Sequence, residues 1–164
     1  MQGNFLIKTL FQLRELKTYE SIRQVFRDKE LASFGDACIN FLYSLALSYV
    51  KKTPMGGRVP NKVLSEALNR SELRSCVPKR LDSHERGDVV EALIAYALIN
   101  GIMTFDEVFN ILVEGLSGLA LKSDRKEAWD ILITTFEKLL EELSARIFFH
   151  LLASEKFKLS NDKP

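Results

Sequence analysis

The sequence predicts an all-α fold, a helical bundle forming one domain over residues 1–164. Three observations predict it. No stretch alternates apolar and polar residues between turn residues, as a half-buried strand would. Residues 31–50 and 83–100 are apolar around most of a helical circumference, and 124–156 is apolar along one face. The helix-breaking residues cluster at Thr53-Pro54-Met55-Gly56-Gly57, followed by Pro60 and later Pro78.

Leu6 to Leu16 and Ser21 to Arg27 are short amphipathic helices. Leu31 to Val50 is a nearly all-apolar helix, closed by Lys51 and Lys52, where positive charge suits a helix C-terminus, and then by Pro54. Asn61 to Asn69 is a short polar helix. Ser83 to Asn100 is a second buried helix, with Ser83 expected as its N-cap and Asn100-Gly101 as its C-terminal stop. Thr104-Phe105-Asp106-Glu107 is a capping box that opens a helix to about Leu116. Asp124 to Lys156 is the long helix, with Trp129, Leu132, Ile133, Phe136, Leu140, Leu143, Ile147 and Leu151 at helical spacing.

At 164 residues, 46% apolar and 27% charged, the chain is long enough for one continuous core and is not composed like a disordered one. The net charge of +1 hides an uneven distribution. Lys51, Lys52, Arg58, Lys62, Arg70, Arg74, Lys79 and Arg80 are opposed over 51–80 only by Glu66 and Glu72. Such a sector fits a local polyanion contact, and it equally fits a solvated surface. Two cysteines, Cys38 and Cys76, are too few for a disulfide framework and lack metal spacing. They read as small buried residues in a reducing cytoplasm. Lys8 interrupts the apolar N-terminal run, so no signal peptide is expected. The longest apolar stretch, Ala92 to Ile99, is far below the roughly 20 residues of a membrane span.

The two apolar helices nevertheless carry acids: Asp36 on one, Asp88 and Glu91 on the other. A buried carboxylate is costly to ionise without a cation, a donor or water. Asp88 and Glu91 are three apart and share a face. If the helices pack side by side, Asp36 joins them in a three-carboxylate pocket of the kind Mg²⁺ favours. A second reading stays open: Asp88 with Glu91 has the form of a capping box, and Asp36 could cap a helix starting at Ala37. An N-cap at Ser83 would put Asp88 inside the helix and weaken that reading. His84, four before Asp88, could touch it or a phosphate, or simply stand at the solvent edge. Glu85 could support Asp88.

Leu31-Ala32-Ser33-Phe34-Gly35-Asp36-Ala37 resembles the signature helix of the ribonuclease III family, which centres on a Gly-Asp pair. Gly87-Asp88-Val89-Val90-Glu91-Ala92-Leu93-Ile94-Ala95 resembles that family's second catalytic segment, where an Asp and a Glu three apart open a helix. The resemblance covers roughly positions 20 to 116 and extends to the chain as one ribonuclease III-like catalytic domain. It is nearest to the short archaeal-type or Mini-III-like members, without a double-stranded-RNA-binding domain. Two positions depart. The family's glutamate four before the aspartate is Ala32, and its acid seven before is Lys29. Glu30 does not replace the missing ligand, since six residues rotate it by about 240° from Asp36. The Mini-III branch also carries alanine before its Gly-Asp.

The resemblance implies an Mg²⁺-dependent endoribonuclease for double-stranded RNA, with Mn²⁺ as a substitute. Asp36 and Glu91 would be the principal ligands and catalytic residues, with Asp88 completing or supporting the site. Products would carry 5′-phosphate and 3′-hydroxyl ends. The enzyme would be a two-fold homodimer, with Phe41 and Tyr43 on the signature helix contributing to its interface. The basic sector would contact phosphates. Two rival functions remain: a non-catalytic member of the fold that binds structured RNA or serves as a scaffold, with a Lys29–Asp36 ion pair in the metal's place, and a structural adaptor whose 124–156 helix pairs with a partner.

Overall fold

The computed structural model describes residues 5–121 and 124–161. They form seven α-helices: α1 (Phe5–Leu16), α2 (Ile22–Arg27), α3 (Lys29–Lys51), α4 (Asn61–Arg70), α5 (Ser83–Ile99), α6 (Phe105–Leu116) and α7 (Arg125–Asn161). Two 3-10 turns, Glu72–Ser75 and Ser117–Leu121, follow α4 and α6. No strand occurs among the described residues. The all-α expectation holds.

The helix starts follow from capping chemistry. Asp28 caps α3, its carboxylate accepting from Leu31 N at 3.0 Å. Asp82, and not Ser83, caps α5. Its side chain accepts from Glu85 N, and Glu85 accepts from Asp82 N, each at 2.8 Å. Asp82 wins because the glutamate that closes the box lies three residues after it. Glu85 is therefore engaged in the cap. Asp36 and Asp88 both lie inside helices, so neither caps one. The box expected at Thr104 and Glu107 is present.

Helix α5 is the axis of the bundle, with every residue from Val89 to Leu98 buried. It packs on α3 and α4 most extensively, and also on α1, α2 and α7. Ile39 and Leu42 of α3, Leu64 and Leu68 of α4, and Phe136 and Leu140 of α7 close around it. Burying side chains of this size stabilises by roughly 1.5–3 kcal/mol each. At 23 residues α3 is long and apolar enough, by length and composition, to cross a membrane. Here it is a core helix between α5 and α6.

Three expectations need correction. Trp129 stays at the surface, and the buried stripe of α7 runs through Ile133, Phe136, Leu139, Leu140, Leu143 and Ile147. Leu151 lies outside the residues whose side chains are described. Cys38 is buried, and burial pushes its thiol up to about 11, but Cys76 is exposed just past a 3-10 turn. Tyr43 belongs to the core, whereas Phe41, Leu45 and Tyr49, four residues apart, line the solvent side of α3.

Candidate active site

The site begins with a glycine. A Cβ at Gly35 would lie 1.9 Å from the Glu91 carbonyl oxygen and 2.5 Å from its carbon, so α3 and α5 touch backbone to backbone there. Only glycine permits this approach. It sets Asp36, the next residue of α3, beside the Glu91 side chain of α5. Glu91 is 5% exposed. Asp36 is the hydrogen-bond partner of its carboxyl, and no cation of the described residues lies at ion-pair distance from it. Burial, then the charges of Asp36 and Asp88, push its pKa up to about 8.

Asp36 is held by a polar ladder. Asn40 Nδ2 donates to Asp36 Oδ1 at 2.8 Å, while Val59 N donates to Asn40 Oδ1 at 2.8 Å. One turn on, Ser44 Oγ accepts from Gly57 N at 2.9 Å, and beyond it Ser48 Oγ accepts from Met55 N at 2.9 Å. Asp36, Asn40, Ser44 and Ser48 thus tie the 53–59 segment along one edge of α3, through residues four apart. The tie brings Arg58 to Asp36, with Nη2 3.4 Å from Oδ2. Asn40, Ser44 and Ser48 carry no expectation from the sequence, although their spacing is visible there.

Asp88 opens toward the same cleft, which is lined also by Ala32, Ser33 and Asn61 and holds about 190 Å³. Lys29 Nζ meets Asp88 Oδ2 at 2.5 Å. Lys29 therefore pairs with Asp88 and not with Asp36. That hydrogen bond, reinforced by the charges of Asp88, Glu85 and Asp82, holds the lysine above its ordinary pKa. His84 Nδ1 lies 3.8 Å from Asp88 Oδ1 and 2.5 Å from Asn61 Nδ2. Asn61 also packs under Gly87, where a Cβ would come within 3.1 Å of its Cγ. It could not be foreseen, because it arrives from α4 through tertiary packing.

The cleft thus gathers all three expected acids. Among the described residues, however, no three carboxylate, imidazole or thiol groups converge closely enough to hold one metal ion in common. Asp36 and Glu91 stand together, while Asp88 is turned to Lys29. The donor set still fits a hard divalent cation. Mg²⁺ takes one or two carboxylates and completes its shell with water and phosphate oxygens. Glu91, buried and with no cation at ion-pair distance among the described residues, is the group such an ion would relieve.

The basic sector divides. Lys62, Lys79 and Arg80 are exposed, and no ion pair or hydrogen bond engages their side chains among the described residues. Lys51 Nζ donates to Leu119 O at 3.3 Å, and Lys52 lies over the Tyr49 ring at 4.2 Å. Arg70 pairs with Asp130 at 3.0 Å, and Arg58 with Asp36. Arg74 turns back on its own loop, donating to the carbonyls of Val77 and Pro78 at 3.3 Å and of Lys79 at 3.2 Å.

The sequence profile of the family described as Ribonuclease III matches residues 29–149. That span contains α3, α5, the cleft between them and the buried stripe of α7. The comparison with curated proteins returns no match.

Proposed function

The chain belongs to the ribonuclease III family, and from that premise we propose that it is an Mg²⁺-dependent endoribonuclease acting on double-stranded RNA. The observation that carries this reading is the pair formed by Glu91 and Asp36 across the Gly35 contact. Two carboxylates from adjacent helices are the protein share of an Mg²⁺ site. When bound, the ion supplies a Lewis acid for the scissile phosphate and lowers the pKa of an attacking water. Mn²⁺, also an oxygen-seeking ion, would substitute.

The chain's own residues have distinct tasks. Asp36 offers a carboxylate that Asn40 orients, donating to it from Nδ2 while its own Oδ1 accepts from Val59 N. Glu91 offers a buried carboxyl that burial and the charges of Asp36 and Asp88 hold toward its protonated form, and that a bound cation would let ionise. His84 Nδ1 and Asn61 Nδ2, bonded to each other at the rim, would reach an incoming phosphate after exchanging that bond. Lys62, Lys79 and Arg80, which have no ion pair or hydrogen bond among the described residues, are the cations of the basic sector offered to RNA phosphates, since duplex RNA is read by shape and backbone. Lys51, Lys52, Arg58 and Arg70 would contribute after exchanging their present partners.

One chain carries one such cleft, so cutting both strands calls for a two-fold homodimer. Phe41, Leu45 and Tyr49, exposed along α3, support that assembly. The two free thiols suit the reducing cytoplasm.

A second reading rests on the ion pairs of Lys29 with Asp88 and of Arg58 with Asp36. They neutralise two of the three acids and favour a non-catalytic RNA-binding or scaffold member of the fold. One experiment separates the two: labelled duplex RNA incubated with the chain, with Asp36→Asn and with Glu91→Gln. Cutting by the native chain that both variants lose supports the nuclease. Binding without cutting in all three supports the scaffold.

A further inference from the structure

We propose that Lys29 is a resident cation of the acidic cleft: it neutralises Asp88, so that the cleft admits one divalent ion, between Asp36 and Glu91, and refuses a second. The inference rests on the metal-dependent reading above and goes beyond it in fixing how many ions bind and which residue limits them.

The geometry divides the cleft into two halves. Helix α3 presents Lys29, Ala32, Ser33 and Asp36 to it, and α5 presents His84, Asp88 and Glu91. Lys29 and Asp36 are seven residues apart, close to two full turns, and therefore on one side of α3. In the half next to Lys29, Asp88 is 14% exposed by its side chain and already paired at 2.5 Å. Ala32, between the halves, offers no ligand. In the other half, Glu91 lines the cleft beside Asp36, buried and with no cation at ion-pair distance among the described residues. That half holds an unmet demand for positive charge, whereas the Lys29 half does not.

The two protein cations are not equivalent. Lys29 meets its acid at 2.5 Å, and the first turn of α5 surrounds it with Asp82 and Glu85 as well. Arg58 reaches Asp36 with a single nitrogen at 3.4 Å; both cations are largely exposed, so the shorter contact and the flanking acids are what set Lys29 apart. An incoming divalent ion displaces Arg58 readily and Lys29 with difficulty. Once Arg58 is displaced, three carboxylates and Lys29 leave the cleft at a formal −2. One divalent ion brings it to neutral, and a second would bring it to +2 in a confined volume, which Coulomb repulsion opposes. Replacing Lys29 by a neutral residue removes one positive charge and frees Asp88.

Titration calorimetry of Mn²⁺ into the full chain without RNA, with electron paramagnetic resonance counting bound ions, tests this without any cleavage assay. The native chain and Lys29→Arg are expected to bind one ion per chain, and Asp36→Asn and Glu91→Gln none. Asp88→Asn keeps the single ion but binds it more weakly, because Asp88 supplies no ligand while its charge offsets Lys29. Lys29→Met is expected to bind a second ion, and to bind the first about tenfold more tightly, a modest gain because the lysine is largely solvated. Circular dichroism confirms that each variant is folded. Two ions on the native chain, or a Lys29→Met isotherm identical to the native one, would overturn the role of Lys29 and leave the metal-dependent reading standing. An ion that binds only after Lys29→Met also overturns it, since the lysine would then exclude metal altogether. No ion on either protein would overturn both.

Discussion

Replacing Gly35 by alanine tests whether the contact between α3 and α5 builds the site. The new Cβ would sit 1.9 Å from the Glu91 carbonyl oxygen, where ordinary van der Waals contact begins at 3.4 Å. The obstacle is helix backbone, which has no rotamer to escape into, so the helices must part by roughly 1.5 Å at that point. Overpacking of this kind costs about 3 kcal/mol, at the upper end of the usual range. Alanine returns about 1 kcal/mol as the better helix former. The net loss is about 2 kcal/mol, or a fall in Tm of roughly 4–8 °C for a domain of this size. Gly56, whose Cβ would meet nothing within 4 Å, is the control, and Gly56→Ala should leave Tm almost unchanged. Urea and thermal unfolding by circular dichroism measure both variants. Mn²⁺ binding by folded Gly35→Ala should also weaken, because separating the helices separates Asp36 from Glu91. A Tm for Gly35→Ala at or above the native value would refute the close approach, since helix propensity alone would then govern.

Asn40→Ala removes the partner of the buried Val59 N–H and frees the 53–59 segment. It should destabilise by about 2 kcal/mol and make Arg58 an early trypsin site, as limited proteolysis would show. Asp28 gives the pH dependence. Burial works against its charge, but hydrogen bonds from Lys17, Tyr19 and Leu31 N prevail and hold its pKa below the ordinary 3.8. A lowered folded-state value stabilises at pH above 3.8 and is lost as the pH falls through the folded value. Asp28→Asn, which keeps an N-cap, should therefore lose about 1 kcal/mol at neutral pH, and the gap from the native chain should close in acid unfolding below that range. On duplex RNA, Lys62→Ala, Lys79→Ala and Arg80→Ala should each lower the slope of log affinity against log salt by about one. Arg74→Ala should leave that slope unchanged and loosen its loop, because its guanidinium is engaged with carbonyls.

Much of this architecture is legible in the sequence because it rests on local rules. The helix-breaking residues at 53–60 and the box at Thr104 and Glu107 mark their elements directly. The apolar circumference of 83–100 correctly marks the axis of the bundle, and its acids Asp88 and Glu91 share one cleft with Asp36, as side-by-side packing of the helices predicts. What escapes is decided by tertiary contact. Lys29 and Asp88 are 59 residues apart, and only the packed helices show that they meet. Asn61 enters the cleft from α4 under Gly87, for which no spacing rule exists. Arg74 belongs to a basic run that reads as uniform, yet its loop curls back and takes its donors. Tyr43 and Phe41 are both aromatic residues of one helix, and only the packed structure, which brings Gly57 against the Tyr43 ring, shows which is core. Ser83 and Asp82 are both good caps, and the choice between them turns on Glu85.

The most direct test of the central claim is the chemistry of the cut ends. End-labelled duplex RNA would be incubated with the native chain in Mg²⁺ and in EDTA, and the products mapped by their termini. Hydrolysis through the Asp36–Glu91 cleft predicts fragments with 5′-phosphate and 3′-hydroxyl ends that appear in Mg²⁺ and vanish in EDTA. Intact RNA under both conditions, or 2′,3′-cyclic phosphate ends formed equally well in EDTA, would contradict it.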